Sequence, residues 1–138
     1  MSSQAHTDNP TFIFPVRVYY EDTDAGGVVY HACYLNFMER ARTEWLRDKG
    51  FEQDRLREQE GLLFPVRSLK IEYLLPARFN ELLQVSCEPR HRGNASLRFY
   101  QTITRGDDVL CTAEVRIACI DAEAFVPKAI PQRVYDAL

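Results

Sequence analysis

Little in this chain suits metal or redox chemistry. Histidine occurs only three times, at His6, His31 and His91, and no two have the spacing of a zinc cluster. Four cysteines, Cys33, Cys87, Cys111 and Cys119, include no CxxC pair. All four fall on apolar-periodic positions, which reads as buried, reduced thiols. No apolar run approaches the roughly 18 to 20 residues of a membrane span, so no membrane insertion is expected. Met1 to Pro10 is polar and lacks the charged-then-apolar order of a secretory signal. Residues 1–10 are expected to form a flexible N-terminal tail, residues 11–138 a single domain, and the address is expected to be cytoplasmic. A formal net charge of -3 lacks the basic surplus of a general nucleic-acid binder. That balance leaves room for a local basic pocket facing a phosphorylated ligand.

What is present is an ordinary globular composition, 46% hydrophobic and 27% charged over 138 residues, enough to bury one core unaided. From Phe14 to Glu21, Val16, Val18 and Tyr20 alternate with Arg17, Tyr19 and Glu21, the period of a half-buried strand. The segment EDTDAGGVVYH, Glu21 to His31, follows, and its paired glycines break the strand. Beyond it the period changes. Tyr34, Met38, Ala41 and Trp45 recur at helical spacing, with Leu35, Phe37 and Leu46 widening the stripe. This predicts a helix from about His31 to Lys49, roughly 27 Å long, stopped by Gly50 in a left-handed conformation. A shorter polar helix is expected over Glu52 to Glu60, closed by Gly61.

The remainder reads as strands. Leu69, Ile71 and Tyr73 form one alternating face before Pro76; Leu83, Val85 and Cys87 form another. A turn at Gly93-Asn94 leads to Leu97, Phe99 and Ile103. A second turn at Gly106-Asp107-Asp108 leads to Val109, Cys111, Ala113, Val115, Ile117 and Cys119 on one long apolar face. Short connections make the last three strands antiparallel neighbours. Pro127 and Pro131 predict an extended tail with a final helical turn. One long amphipathic helix and about five antiparallel strands define an α+β domain in which a sheet packs around a single helix.

The segment before the helix carries the chemistry. A helix N-terminus exposes unpaired N–H groups and the positive end of its dipole, which favour an anion, including the oxyanion of an attacked carbonyl. Asp22 and Asp24 lie just upstream, on a turn that Gly26 and Gly27 can fold back toward the helix. Taken locally, these acids serve equally as helix caps, worth about 1 kcal/mol. His31 reads either as a catalytic assistant or as a hydrogen-bonded structural residue.

The run YYEDTDAGGVVYHACYLNFMERARTEWL resembles the signature of hotdog-fold thioesterases of the 4-hydroxybenzoyl-CoA thioesterase family, and within it the YbgC-type, Tol-Pal-associated acyl-CoA thioesterases. FPVRSLKIEYLLPARFNELLQV, RGNASLRF and AEVRIACID fit the same pattern, so the likeness runs from Val16 to Pro131. It implies a hotdog fold assembled as homodimers or homotetramers, and hydrolysis of an acyl-CoA or acyl-carrier-protein thioester. No cofactor is expected beyond the coenzyme A of the substrate. Asp24 becomes the catalytic carboxylate, as nucleophile or general base, and a backbone N–H at or near His31 the oxyanion donor. Asp22 becomes a supporting residue; Gly26, Gly27, Tyr30 and His31 line the site. Another hotdog type uses a helical glutamate, for which Glu39 and Glu44 are the rivals, although Arg40 and Arg47 sit at pairing distance along the helix from Glu44. Arg90, His91 and Arg92 form the densest basic cluster, read either as contacts to coenzyme A phosphates or as an ordinary solvated turn. A non-hydrolytic acyl-CoA sensor, or a dehydratase or hydratase pairing His31 with Asp24, are the alternatives.

Overall fold

In the computed structural model, residues 11–138 are described; the expected tail at residues 1–10 lies outside the described residues. The domain is built from strand β1 (Phe12–Arg17), helix α1 (Cys33–Asp48), helix α2 (Gln53–Glu60), strands β2 (Leu62–Leu63), β3 (Val66–Tyr73), β4 (Leu82–Arg92), β5 (Ser96–Arg105), β6 (Asp108–Ala118) and β7 (Ile120–Asp121), and helix α3 (Gln132–Ala137). Five strands form one antiparallel sheet in the order β1-β4-β5-β6-β3, while β2 and β7 pair separately. The helix lies on one face of the sheet. Tyr34, Phe37, Met38, Ala41, Trp45 and Leu46 turn inward, onto Val16, Leu83, Val85, Cys87, Phe99 and Ile103. This is the sheet around one helix that the periodicities predict, and the hotdog fold that the resemblance implies.

Both helix stops fall where glycine permits them. Gly50 and Gly61 have φ of 95° and 68°, a region costly for side chains with a Cβ. Pro15 is confined to edge strand β1, where its missing N–H removes no ladder bond from the sheet interior.

The structure departs from the expected pattern in three places. First, β1 ends at Arg17, so the alternation does not reach Glu21. The Tyr19 N–H donates to the Asp22 carboxylate at 2.8 Å, folding Tyr20–Asp22 into a 3-10 turn. Tyr20 is consequently 79% exposed rather than inward-facing. Second, Val109 is 40% exposed and Leu110 is buried in its place. The ladder shifts between Ile103, which pairs with Cys111, and Thr104, which pairs with Val109. The extra residue of this bulge reverses which side chain faces inward. Third, the expected buried face of β3 is open, with Leu69 38% and Tyr73 45% exposed. Packing of α1 falls on β4, β1 and β5, leaving the β3 edge uncovered.

Candidate active site

The loop between β1 and α1 is held by a compact set of backbone bonds. The Asp24 N–H donates to the Val28 carbonyl at 2.9 Å, and the Gly27 N–H to the Asp24 carbonyl at 3.0 Å. Gly27 takes φ of 80° to close this turn, a conformation that explains the glycine there. At Gly26 the requirement is contact: an added Cβ would lie 3.2 Å from Asp24 Oδ1, the same oxygen that accepts the Gly26 N–H at 2.8 Å. The second carboxylate oxygen, Oδ2, has no hydrogen bond among the described residues.

Asp22 is spent differently. Its side chain is buried and accepts the Tyr19 N–H, while its carbonyl accepts the Tyr30 N–H at 2.9 Å. It orders the loop and borders a groove with Arg17 and Arg40, separate from the cleft beside Asp24.

The returning arm of the loop docks on the segment before β4. Val28 bridges to Arg78, and the Val29 N–H donates to the Ala77 carbonyl at 2.9 Å. The Ala77 N–H in turn donates to the Tyr34 hydroxyl at 3.0 Å, and burial pushes the Tyr34 phenol above its ordinary range. Arg105 fixes this segment from β5, donating to the Pro76 carbonyl at 3.1 Å and to Glu81 at 2.9 Å. Burial alone would raise the Glu81 carboxyl, but hydrogen bonds from the Arg78 amide and Arg105 outweigh it and hold it below the usual range.

These contacts place Asp24 and His31 on one cleft of about 340 Å³, whose apolar walls include Val28, Val29, Tyr34, Leu74, Leu75 and Pro76. That volume is in the range of small-molecule sites. No side chain caps α1 at Ala32; the Cys33 and Leu35 amides donate to the Tyr30 and Ala32 carbonyls, and the positive end of the helix dipole lies beside the cleft at His31. The Tyr73 hydroxyl donates to the His31 carbonyl at 2.8 Å, tying the sheet edge to that mouth. Tyr30 is 46% exposed and lies against the His31 ring, with centroids 4.4 Å apart, at the rim. An open carboxylate and a helix start without a side-chain cap on one cleft suit attack on a carbonyl carbon and stabilisation of the oxyanion that results.

Not every expected residue converges here. Arg90 and Arg92 lie at the far end of β4, whose 11 residues span roughly 33 Å at ~3.3 Å per residue. Arg90 pairs with Glu88 and stacks on Tyr100; Arg92 packs on the Tyr135 ring and donates to its carbonyl. Within one chain they do not meet the Asp24 cleft, because β4 continues through them instead of turning before them. Glu44 pairs with Arg47, and neither Glu39 nor Glu44 lines the cleft. Among the aromatics, Tyr34 lines this cleft, Phe37 is in the core, and Phe64 lines a different cavity. Tyr73, Leu74 and Leu75 line the cleft although strand alternation alone does not mark them as site residues. Their signal is the unbroken apolar run Tyr73-Leu74-Leu75, where a half-buried strand would alternate. Among the described residues no cluster of histidine, cysteine and carboxylate side chains could hold a metal ion.

This fold and cleft correspond to a known class, and the chain belongs to the Thioesterase-like superfamily, whose pattern it matches over residues 18–138. Among its relatives, the acyl-CoA thioesterase YbgC of Haemophilus influenzae is 49% identical over 123 residues, covering 89% of this chain and 90% of that protein. The acyl-CoA thioester hydrolase YbgC of an Escherichia coli O6:H1 strain is 46% identical over 124 residues, covering 89% and 92%. The crystal structure of a probable thioesterase from Bartonella henselae superposes with a TM-score of 0.85 at 41% identity, covering 88% of this chain and 100% of that one. The YbgC-type resemblance carried by the loop and helix signature is thus borne out along nearly the whole chain.

Proposed function

We propose that this protein hydrolyses acyl-coenzyme A thioesters to a free acid and coenzyme A. The observation that carries the reading is the shared cleft of Asp24 and the uncapped α1 mouth at His31. The Asp24 carboxylate either attacks the thioester carbonyl carbon, displacing the thiolate and leaving an anhydride for water to open, or takes a proton from the water that attacks. In both routes negative charge develops on the carbonyl oxygen, where an amide at or near His31 meets it. The displaced sulfur takes up a proton. Val28, Val29, Leu74 and Leu75 supply an apolar surface for the acyl group, and an acyl carrier protein is a second thioester donor compatible with the same chemistry.

The assembly belongs to the same proposal. β3 is an edge strand with exposed Val66, Leu69 and Tyr73, followed by exposed Leu74 and Leu75, so a second copy docking there would cover an apolar surface and wall the cleft. A homodimer is the minimal unit and a homotetramer a pair of these. Arg90 and Arg92 can contact coenzyme A phosphates only if another copy presents them. A cytoplasmic setting accords with the four unpaired thiols. A Tol-Pal association rests on the resemblance and is tested by co-purification.

Thiol release from acyl-CoAs ranging from acetyl to palmitoyl, with aromatic thioesters included, tests the reaction. Asp24→Asn is expected to lower kcat by about 10²- to 10⁴-fold. Equal rates in the two proteins would remove Asp24 from the chemistry. Saturable binding without thiol release would make the domain a sensor instead.

A further inference from the structure

The peptide units at the mouth of α1 are held by two different partners. The Cys33 N–H donates to the Tyr30 carbonyl at 2.8 Å, which fixes the Tyr30–His31 peptide from within the loop. The next peptide has no such local partner. In a regular helix the Leu35 N–H would take the His31 carbonyl, four residues back. Here it donates to the Ala32 carbonyl at 3.2 Å, a tighter 3-10 bond. The His31 carbonyl is left for a donor from elsewhere, and the Tyr73 hydroxyl supplies it at 2.8 Å from 42 residues away. Tyr73 is the last residue of β3, on the edge of the sheet.

The Tyr73 ring is itself held in place. It packs edge-on against Tyr34, with centroids 5.4 Å apart, and against His31 at 6.5 Å. All three residues line the Asp24 cleft. The Tyr34 hydroxyl accepts the Ala77 N–H, so the row of rings runs from the segment before β4 to the helix mouth. Burial raises the Tyr73 phenol above its ordinary range, and at neutral pH it keeps the proton it donates.

A peptide is planar and trans, so its N–H points opposite to its C=O. Holding the His31 carbonyl therefore holds the Ala32 N–H, and the two bonds together set the torsions at His31 between the planes. The His31 and Ala32 N–H groups have no acceptor among the described residues, which leaves both able to meet an oxyanion. A donor on a peptide carbonyl also polarises the unit and strengthens its N–H. Tyr73 is half-exposed, so water can take the place of its hydroxyl on the His31 carbonyl. Water satisfies that oxygen without fixing its direction. Loss of the hydroxyl then falls on alignment and not on stability.

We propose that Tyr73 is a positioning residue of the hydrolytic site, whose hydroxyl fixes the His31–Ala32 peptide and so aims the amides that meet the oxyanion. This role rests on the thioester reading above and brings a residue of the sheet edge into that chemistry.

Tyr73→Phe keeps the ring and deletes only the hydroxyl. With the acyl-CoA that the native protein cleaves fastest, kcat is expected to fall about fivefold to tenfold while KM stays within about twofold. Tm and the mass from light scattering should match those of the native protein. The carbonyl 13C resonance of His31 should move upfield in the variant, because that oxygen loses its hydroxyl donor. A merely structural role would instead raise KM, lower Tm or dissociate the assembly. An unchanged kcat, a fall in kcat accompanied by a lower Tm or a smaller assembly, or an unmoved His31 carbonyl resonance would each overturn the role and leave hydrolysis standing. A native protein that releases no thiol from any acyl-CoA would overturn the hydrolytic reading, and this role with it.

Discussion

Replacing Gln101 by methionine keeps the side chain's length while deleting its amide, and the structure sets the cost. Two neutral hydrogen bonds, to the Met38 and Ser86 carbonyls, contribute about 1 kcal/mol each net. The bond from Arg42 is charge-assisted, but Arg42 borders a cavity that water can enter, so its loss costs about 1–2 kcal/mol. The sum is about 3–4 kcal/mol, a large share of the 5–15 kcal/mol typical of a domain. It corresponds to a fall in Tm of roughly 10–16 °C for a chain of this size. Urea unfolding of the native protein and Gln101→Met, at one protein concentration because assembly contributes to stability, measures it. A companion variant, Arg42→Met, separates the terms. In the double variant the losses should fall short of additivity by about 1–2 kcal/mol, because the two side chains share one bond. A Gln101→Met cost below about 1 kcal/mol, or strict additivity with Arg42→Met, would refute the view that this amide clamps the helix to the middle strand.

Three further outcomes follow from the same contacts. Asp22→Ala deletes the buried acceptor of the Tyr19 N–H and should cost about 1.5–3 kcal/mol in chemical denaturation, whereas Asp22→Asn, which keeps an acceptor oxygen, should cost less than half as much. Burial pushes the thiols of Cys87 and Cys111 up to about 12 and that of Cys119 up to about 11. The unfolded chain therefore releases these protons first, from a pH of about 8.5, and stability should fall as pH rises above 9 by up to about 1.4 kcal/mol per thiol per pH unit; unfolding curves at pH 8 and pH 10 that coincide would contradict this. Leu69→Glu puts a charge on the open face of β3 and should shift the protein toward monomer in light scattering, with thiol release falling if a second copy completes the cleft.

The elements themselves were legible in the order of residues. Helix α1 follows from Tyr34, Met38, Ala41 and Trp45 at helical spacing, and Gly50 and Gly61 mark the two stops, because propensity and capping act over a few neighbouring residues. The loop chemistry was legible for the same reason. The acids and the paired glycines lie within eleven consecutive residues, Glu21 to His31, just ahead of the helix that starts at Cys33, and they carry the family resemblance that the relatives bear out.

What the residue order did not contain was which neighbours cover which faces. Leu110 and Val109 exchange places because of a bulge set by pairing with β5, a partner distant from any local pattern. Leu69 and Tyr73 alternate as well as any buried strand, yet they stay open because α1 packs on other strands. Arg90 and Arg92 look like a basic loop in sequence and become the end of an 11-residue strand. Gln101, the one polar side chain on the buried face of β5 beside Leu97, Phe99 and Ile103, becomes the tie between helix and sheet only when Met38 and Arg42 arrive beside it. Short-range geometry determines whether a segment is helix, strand or turn. Long-range packing alone decides what each side chain meets, and both the Asp24 cleft and the bond from Tyr73 to the α1 mouth are products of that second step.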